Sequence, residues 1–308
     1  MNLLENLTGV QAPSGSEAPL KAFIKQYVHD NAANWRQRPV IYEGDHLQDC
    51  LILAFGQPRT AIFAHMDSIG YTAGHHQRLE AIGKPQARDG TALIGTDKEG
   101  SIEVTLRVQE PSAEIPSGIW YEASRPLEPG APLTYKPHYQ ENGHYIQSPY
   151  IDNRGGVYNA LRVAETLRDG ALCFSCWEEH GGGSVGYLAR HLYEGLGVRQ
   201  ALIADITWVT ADIHHGHGPA ISLRDRGVPR RAFVDRVLAS ADQAGIPYQK
   251  EVEGDGGSDG LELQRSPYPF DWCFIGAGET NVHRPDETIH KDDLEGMVKL
   301  YSHLMEAL

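Results

Sequence analysis

Short, continuously apolar runs are the feature that most constrains the fold of this chain of 308 residues. They are apolar at every position rather than at alternate positions, which is typical of strands covered on both faces. Stretches with helical character lie between them. We therefore predict an α/β domain. The predicted strands cover residues 51–55, 61–64, 171–177, 201–204 and 272–275, and the predicted helices cover residues 20–29, 157–167, 232–244 and 292–308.

A middle segment has a different character. Between residues 75 and 145 polar and apolar residues alternate, as in residues 102–108, and prolines recur. This pattern is typical of antiparallel strands. We predict a small all-β domain at 75–145, inserted into a catalytic domain that is discontinuous in sequence and covers 1–74 and 146–308.

Charge and cysteine usage narrow the class of protein. The formal net charge of −14 disfavours a nucleic-acid or anionic-membrane partner, because those surfaces attract an excess of Lys and Arg. No segment approaches the roughly 20 apolar residues of a membrane helix, and residues 1–17 lack the pattern of an export signal. The four cysteines are scattered, and we interpret Cys173 and Cys176, a CxxC inside a predicted strand, as buried core residues. We expect a cytoplasmic protein that acts on peptides.

Polar residues stand where predicted strands run out. His65, Glu179 and Asp205 each come just after an apolar run. In an open α/β sheet the carboxyl ends of the strands border one crevice, so we expect these side chains to converge. Two further candidates, Asp152 and His283, lie in predicted loops. Two histidines and three carboxylates form a mixed nitrogen and oxygen set that suits zinc, with cobalt or manganese as alternatives.

Neighbouring residues strengthen this interpretation. Taken alone, Asp152 is also compatible with a helix cap, and Asp205 with an ordinary turn residue. Asp67, two positions after His65, can accept the second ring N–H of the histidine and fix its tautomer. Glu178 and Glu179 are adjacent carboxylates, which repel each other unless a cation or a proton absorbs their charge. The joint occurrence favours a metal site.

Five segments resemble, in order, the signatures of the TET-type glutamyl/leucyl aminopeptidases, which are peptidase family M forty-two of the dinuclear-metal MH clan. The resemblance covers nearly the whole chain and includes a β module inserted at the same place. It implies a zinc-exopeptidase-like fold with a mixed central sheet and helices on both faces. The segments are residues 65–70, 151–156, 177–181, 204–207 and 283–288.

The resemblance also implies the metal ligands. Asp152 would bridge two divalent ions. His65 and Asp205 would complete the site of one ion, and Glu179 and His283 the site of the other.

Two more residues receive roles from the same motifs. Glu178 would be the general base, and Asp67 would orient His65. Two cations that share a carboxylate lower the pKa of a water, and Glu178 would take its proton during attack on the peptide carbonyl. The resemblance further implies a large hollow homo-oligomer, built partly through the inserted β domain.

Two other functions remain open at this point. A carboxypeptidase or an N-acyl-amino-acid amidohydrolase of the same clan uses a similar ligand set. Those enzymes typically carry their extra module between the later ligands. Here only residues 206–282 separate Asp205 from His283, which leaves little room for such a module. A non-catalytic binding protein is disfavoured because every proposed ligand and Glu178 are present. The sequence leaves the preferred N-terminal residue, the physiological substrate, the native metal and the number of subunits open.

Overall fold

The computed structural model of the chain describes residues 3–86, 88–109 and 118–308. No helix within these ranges is both long enough and apolar enough to cross a membrane. The α-helices are α1 (Leu3–Thr8), α2 (Ala18–Asn31), α3 (Ile151–Ala164), α4 (Val185–Arg190), α5 (Arg231–Ala244), α6 (Asp259–Arg265) and α7 (Lys291–Ala307).

A large mixed sheet forms the centre of the molecule. Its strands are β1 (Val40–Gly44), β2 (Gln48–Phe55), β3 (Thr60–His65), β10 (Gln140–Asn142), β11 (Tyr145–Gln147), β12 (Gly170–Ser175), β13 (Gln200–Trp208), β14 (Ala220–Ser222), β15 (Gln249–Glu251), β16 (Asp271–Thr280) and β17 (Thr288–His290). The order is β1-β2-β12-β3-β13-β16-β17-β11-β10, and β14 pairs with β15 and β16. The four central strands β12, β3, β13 and β16 are parallel, so their carboxyl ends meet at one edge.

A second sheet of six strands has its own small apolar core. Its strands are β4 (Gly70–Ala73), β5 (Leu79–Ile82), β6 (Ala92–Asp97), β7 (Gly100–Gln109), β8 (Gly118–Glu122) and β9 (Pro132–Tyr135). They pair in the order β5-β4-β9-β6-β7-β8, and every pairing is antiparallel. The core of this sheet is separate from that of the large sheet.

The predicted fold class is confirmed: the central sheet is mixed, and helices α2 to α7 contact its strands. The division of the chain into 1–74, 75–145 and 146–308 stays a prediction. The small sheet begins at Gly70, while β10 and β11 pair with the large sheet through β17. Residues 87 and 110–117 of the predicted insert lie outside the described residues.

The predicted strands are present with different ends: β12 stops at Ser175, before the predicted end at residue 177, and the other four are longer than their apolar runs, β13 and β16 most of all. β13 continues to Trp208 and β16 to Thr280, because the two strands pair in register from Gln200 and Asp271 up to Trp208 and Glu279. Each strand therefore extends the other beyond the residues that the apolar pattern marks. Asp205 consequently lies inside β13 and not after its end, which corrects the expected position.

The third helix also differs from the prediction. Its bounds begin at Ile151, six residues before the expected start at residue 157, but Asp152 and Asn153 within them have non-helical backbone angles. Gly155 and Gly156 then let the helix approach β13 closely. A side chain at Gly156 would overlap the carbonyl oxygen of Ala204. Glycines do not contribute to an apolar pattern, so the pattern placed the start of the helix after them. All four cysteines are free and buried, as interpreted for Cys173 and Cys176.

Candidate metal centre

The carboxyl edge of the parallel strands brings the five predicted ligands together. His65 is the last residue of β3, and Asp205 is in the neighbouring strand β13. Glu179 lies in a single helical turn directly after β12. Asp152 is at the start of α3, and His283 is in the connection between β16 and β17.

The five side chains form two groups that share Asp152. In the first group, His65 Nε2 lies 3.3 Å from Asp152 Oδ1 and 3.5 Å from Asp205 Oδ1. In the second, His283 Nε2 lies 3.5 Å from Asp152 Oδ2 and 3.1 Å from Glu179 Oε2. Within each group one donor atom per residue lies within 4.8 Å of the others. The two oxygens of Asp152 therefore face two different three-residue groups.

Irregular backbone presents these side chains. Asp152 has φ −78° and ψ 108°, outside the helical region, although it lies within the bounds of α3, and its peptide bond to Asn153 is cis. Four non-glycine residues beside or in the site have a left-handed backbone: Tyr150 with φ 67°, Trp177 with φ 65°, Asn281 with φ 63° and His283 with φ 64°. Such conformations are uncommon for side chains other than glycine and concentrate at functional sites.

The Asp67 carboxylate connects several parts of the site. Its Oδ1 lies 3.4 Å from His65 Nδ1 and accepts the backbone N–H of Glu178 at 3.1 Å. Its Oδ2 accepts the N–H of Glu179 at 3.1 Å and the hydroxyl of Ser14 at 2.6 Å. The ring nitrogen His65 Nδ1 also lies 3.2 Å from the backbone carbonyl oxygen of Asp67, so both parts of Asp67 contact the ring. Its contacts with the backbone of the Glu178–Glu179 turn are a second role that the sequence did not indicate.

Glu287 is a positioning residue to which the sequence analysis gave no role. It is fully buried, and its two oxygens accept the backbone N–H of His283 at 3.0 Å and of Asp152 at 3.3 Å. One carboxylate therefore fixes the backbone of two candidate ligands, His283 after β16 and Asp152 at the start of α3. Glu287 belongs to the segment 283–288 that carries the family resemblance, so its position in that motif was the available signal.

Burial and charge pairing control titration within the two groups. Burial opposes protonation of His65 and His283, but their carboxylate partners raise the pKa of His65 well above its ordinary range and that of His283 to about 11. Burial raises the pKa of Glu179 to about 7 and that of Asp205 to about 6. Asp152 contacts both histidines, and these contacts lower its pKa against the effect of burial. The repulsion within the carboxylate cluster is thus relieved either by a bound proton or by a nearby cation.

The donor set fits two divalent cations. Two nitrogen donors and three carboxylates are the ligand types found at zinc, cobalt and manganese sites. Glu179 adds a specific indication, because its Oε1 is buried and accepts no hydrogen bond from the described residues, while its Oε2 faces His283. A buried carboxylate oxygen without a partner is costly unless a cation satisfies it.

Glu178 borders the same cavity without belonging to either group. The cavity has a volume of about 900 Å³ and is lined by all five candidate ligands, by Glu178 and by residues of the connections after β13, β15 and β16. Burial raises the pKa of Glu178 well above its ordinary value. A carboxyl group of this kind can both accept and return a proton.

A third cluster of candidate ligands lies elsewhere and was not predicted. It consists of His144, His290 and Asp292 at the junction of β11, β17 and α7. His144 and Asp292 are exposed, and His290 Nδ1 accepts the backbone N–H of Asp292 as the cap of α7. This helix-capping contact accounts for the position of His290.

The fold is shared with solved aminopeptidases. An aminopeptidase from the archaeon Desulfurococcus kamchatkensis superposes with a TM-score of 0.86 at 20% identity, covering 99% of this chain and 94% of that one. The TET1 peptidase of Pyrococcus horikoshii, which can assemble into a tetrahedron or a large octahedral shell, superposes with a TM-score of 0.84 at 22% identity, covering 98% of each chain. The chain therefore has the same fold as these two proteins.

Sequence comparison then establishes the family. The model of the M42 glutamyl aminopeptidase family matches residues 122–300, more than half of the chain. An aminopeptidase-like relative from Acetivibrio thermocellus is 24% identical to this chain, and the alignment covers 100% of this chain and 98% of the relative. The chain belongs to the M42 glutamyl aminopeptidase family, as the sequence motifs predicted, and it is a peptidase that hydrolyses peptides at their N-terminus.

Proposed function

We propose that this chain removes single N-terminal residues from peptides with two divalent metal ions, and that the ions share Asp152. The observation that carries the proposal is the orientation of the Asp152 carboxylate. Its Oδ1 lies 3.3 Å from His65 Nε2, and its Oδ2 lies 3.5 Å from His283 Nε2. Asp205 completes the first site and Glu179 the second. Zinc suits this set, and cobalt or manganese are the alternatives to compare by reconstitution.

In this proposal the ions supply the chemistry, and nearby side chains hold the candidate ligands in position. When bound, the two ions would hold the free α-amine of the substrate, polarise the scissile carbonyl and lower the pKa of the attacking water. Asp67 holds His65 in the orientation that points its Nε2 toward Asp152 and Asp205. Glu287 holds the backbone of Asp152 in place.

Glu178 is the proposed general base. Its backbone N–H donates to Asp67 Oδ1 at 3.1 Å, which fixes the turn from which its side chain borders the cavity. The carboxylate would take a proton from the attacking water and return it to the leaving amine. Because Glu178 lies outside both ligand groups, its removal should affect proton transfer more than metal binding.

Assembly and location are further parts of the proposal. We propose a homo-oligomer, supported by the likeness to the TET1 peptidase, with residues 75–145 forming an inserted domain that contributes to assembly and substrate access. We also propose a cytoplasmic location. The four cysteines are free and buried, which is compatible with a reducing compartment.

A peptide panel tests the reaction. Metal-reconstituted protein would be incubated with Leu-, Glu- and Lys-initiated peptides, each with a free or an N-acetylated α-amine. We expect release of single N-terminal residues from the free peptides and no turnover of the acetylated ones, because the amide nitrogen of an acetylated amine no longer offers its lone pair. Efficient cleavage of acetylated peptides would favour the amidohydrolase alternative, and release from the C-terminus would favour a carboxypeptidase.

A further inference from the structure

Glu279 is a buried carboxylate in the cavity wall that has no hydrogen-bond partner among the described residues. It lies near the end of β16 and is only 1% exposed. Neither of its side-chain oxygens accepts a hydrogen bond from the described residues. Burying a carboxylate without a partner is costly, so such a group in a substrate cavity indicates a ligand that supplies positive charge or hydrogen-bond donors.

Trp208 is the neighbour of Glu279 on the adjacent strand. The two residues are partners in the parallel register of β13 and β16, so their side chains project from the same face of the sheet. Trp208 also borders the cavity and is 40% exposed, which is unusual for an indole in this protein. An indole ring beside a carboxylate offers an apolar face for an alkyl chain and a π face for a cation.

The rest of the cavity wall is also acidic. Apart from the candidate ligands and Glu178, it contains five carboxylate residues and two basic ones, a formal charge of −3 if all are ionised. The carboxylate residues are Asp225, Glu251, Glu253, Asp255 and Glu279, and the basic residues are Lys84 and Arg226.

Several of these carboxylates already have partners within the protein. Asp225 accepts the hydroxyl of Ser258 at 2.7 Å, and Glu251 accepts the hydroxyl of Thr207. Glu253 accepts the backbone N–H of Asp255 at 2.8 Å. Their positions therefore have a structural explanation, whereas that of Glu279 does not.

Glu279 is close to the candidate metal centre. Burial, and after it the charges of Glu287, Asp152 and Asp205, hold the pKa of Glu279 well above its ordinary value, so these carboxylates are within electrostatic range. Two divalent ions would offset the charges of Asp152 and Asp205. A cationic group from the substrate would then supply the remaining partner for Glu279.

We propose that Glu279 and Trp208 select peptides whose first residue has a long cationic side chain, lysine or arginine. The alkyl stem packs on the indole ring, and the charged head pairs with the Glu279 carboxylate. This inference rests on the proposed function, because the α-amine and the scissile carbonyl of that first residue must lie at the metal centre.

Two substrates that differ only in charge test the selectivity. The anilides of lysine and norleucine share the α-amine, the scissile bond and the straight alkyl stem, and only lysine has the terminal ammonium. We expect the metal-loaded wild type to have a kcat/KM for lysine about tenfold or more above that for norleucine. Equal or better cleavage of the norleucine anilide would overturn the proposal.

Glu279→Gln removes the charge with little change of shape. We expect it to lower the lysine-to-norleucine ratio of kcat/KM about tenfold. Glu251→Gln is the matched control, because it makes the same change to a carboxylate of the same cavity that is already bonded to Thr207, and the ratio should stay near that of the wild type. An unchanged ratio in Glu279→Gln, or an equal fall in both variants, would overturn the role of Glu279.

Two further measurements keep the test decisive. If Glu279→Gln does not fold, Trp208→Leu keeps an apolar side chain but removes the π face, and the same ratio should fall about threefold, while an unchanged ratio contradicts the proposal. Calorimetric binding of free lysine and norleucine to the wild type is a readout without turnover, and lysine should bind more tightly. If neither anilide is cleaved, the proposed function fails, and this binding comparison still decides the inference.

Discussion

Glu178 and Glu179 are adjacent in sequence but occupy different positions in the site. Glu179 belongs to the group with Asp152 and His283, whereas Glu178 belongs to neither candidate metal group. Both backbone N–H groups are fixed by Asp67, so the turn directs the two side chains to different tasks.

This difference predicts opposite consequences of one substitution at two neighbouring positions. Glu178→Gln should retain metal and substrate affinity and lower kcat by about 100-fold or more, because it removes the general base. Glu179→Gln should lose metal first. Elemental analysis and steady-state kinetics on both variants check this, and metal loss confined to the Glu178 variant would reverse the two roles.

Glu17 makes a pH-dependent contribution to stability. It is buried, it accepts the backbone N–H of Gly15 at 2.9 Å and that of Trp177 at 3.2 Å, and burial raises its pKa from 4.5 to about 7. Between these two values the unfolded chain is ionised at Glu17 while the folded chain stays protonated. The free energy of unfolding therefore falls as the pH rises through this window.

Glu17→Gln should remove that loss, because a neutral amide oxygen can accept the same two N–H groups. We expect the variant to gain up to about 3 kcal/mol over the wild type when the pH is raised from 4.5 to 8. Urea unfolding of both proteins at the two pH values, after chelation of metal, measures the difference. A constant difference between variant and wild type at both pH values would contradict the assignment.

At the scale of elements, contact between α3 and β13 positions Asp152 beside Asp205. The Asn153 side chain joins the two elements: its Nδ2 donates to the carbonyl of Ala204 at 2.9 Å, and its Oδ1 accepts the N–H of Gly156 at 2.8 Å. Gly156 has no space for a side chain at this contact. These contacts therefore fix the distance between the start of α3 and β13.

Gly156→Ala should separate the two elements. The added methyl group would overlap the Ala204 carbonyl oxygen and the Asn153 side chain, and we expect a loss of about 1–3 kcal/mol in stability together with weaker metal retention. Gly186→Ala in α4 is the matched control, because no atom of another part of the described chain lies within 4 Å of its Cβ position. Chemical unfolding and metal analysis of both variants test this, and equal stability of the two would contradict it.

The sequence predicts the elements of the site better than their ends. Continuous apolar runs mark β3 and β12 because those strands are buried on both faces, and the polar residues after them mark His65 and Glu179. The extension of β13 to Trp208 depends on pairing with β16, which no local pattern reveals. For the same reason the neighbouring positions of Trp208 and Glu279 became evident only in the structure.

Positioning residues were harder to predict than ligands. Asp67 was expected to orient His65 because it lies two residues away, but its contacts with the backbone of Glu178 and Glu179 join distant segments. Glu287 fixes Asp152 across 135 positions of sequence, and no spacing rule indicates such a contact. The roles assigned to the site residues stay predictions that the experiments above decide.

At the scale of the whole molecule, the small sheet is the part of the chain that we propose for contacts between subunits. It has its own core, and the TET1 peptidase of similar fold can assemble into a tetrahedron or a large octahedral shell. We expect this chain to form a large homo-oligomer, and light scattering at micromolar concentration measures its mass. A monomer would mean that its interfaces have diverged, and it would leave the metal centre unaffected.

Metal stoichiometry is the most direct test of two ions sharing one carboxylate. After reconstitution with zinc and removal of loosely bound metal, elemental analysis should find two ions per chain in the wild type. Asp152→Ala should lower the occupancy of both sites, because Asp152 belongs to both groups, whereas His65→Ala and His283→Ala should each lower mainly one. A wild type that never holds more than one tightly bound ion, or an Asp152→Ala variant that retains both, would contradict the shared site.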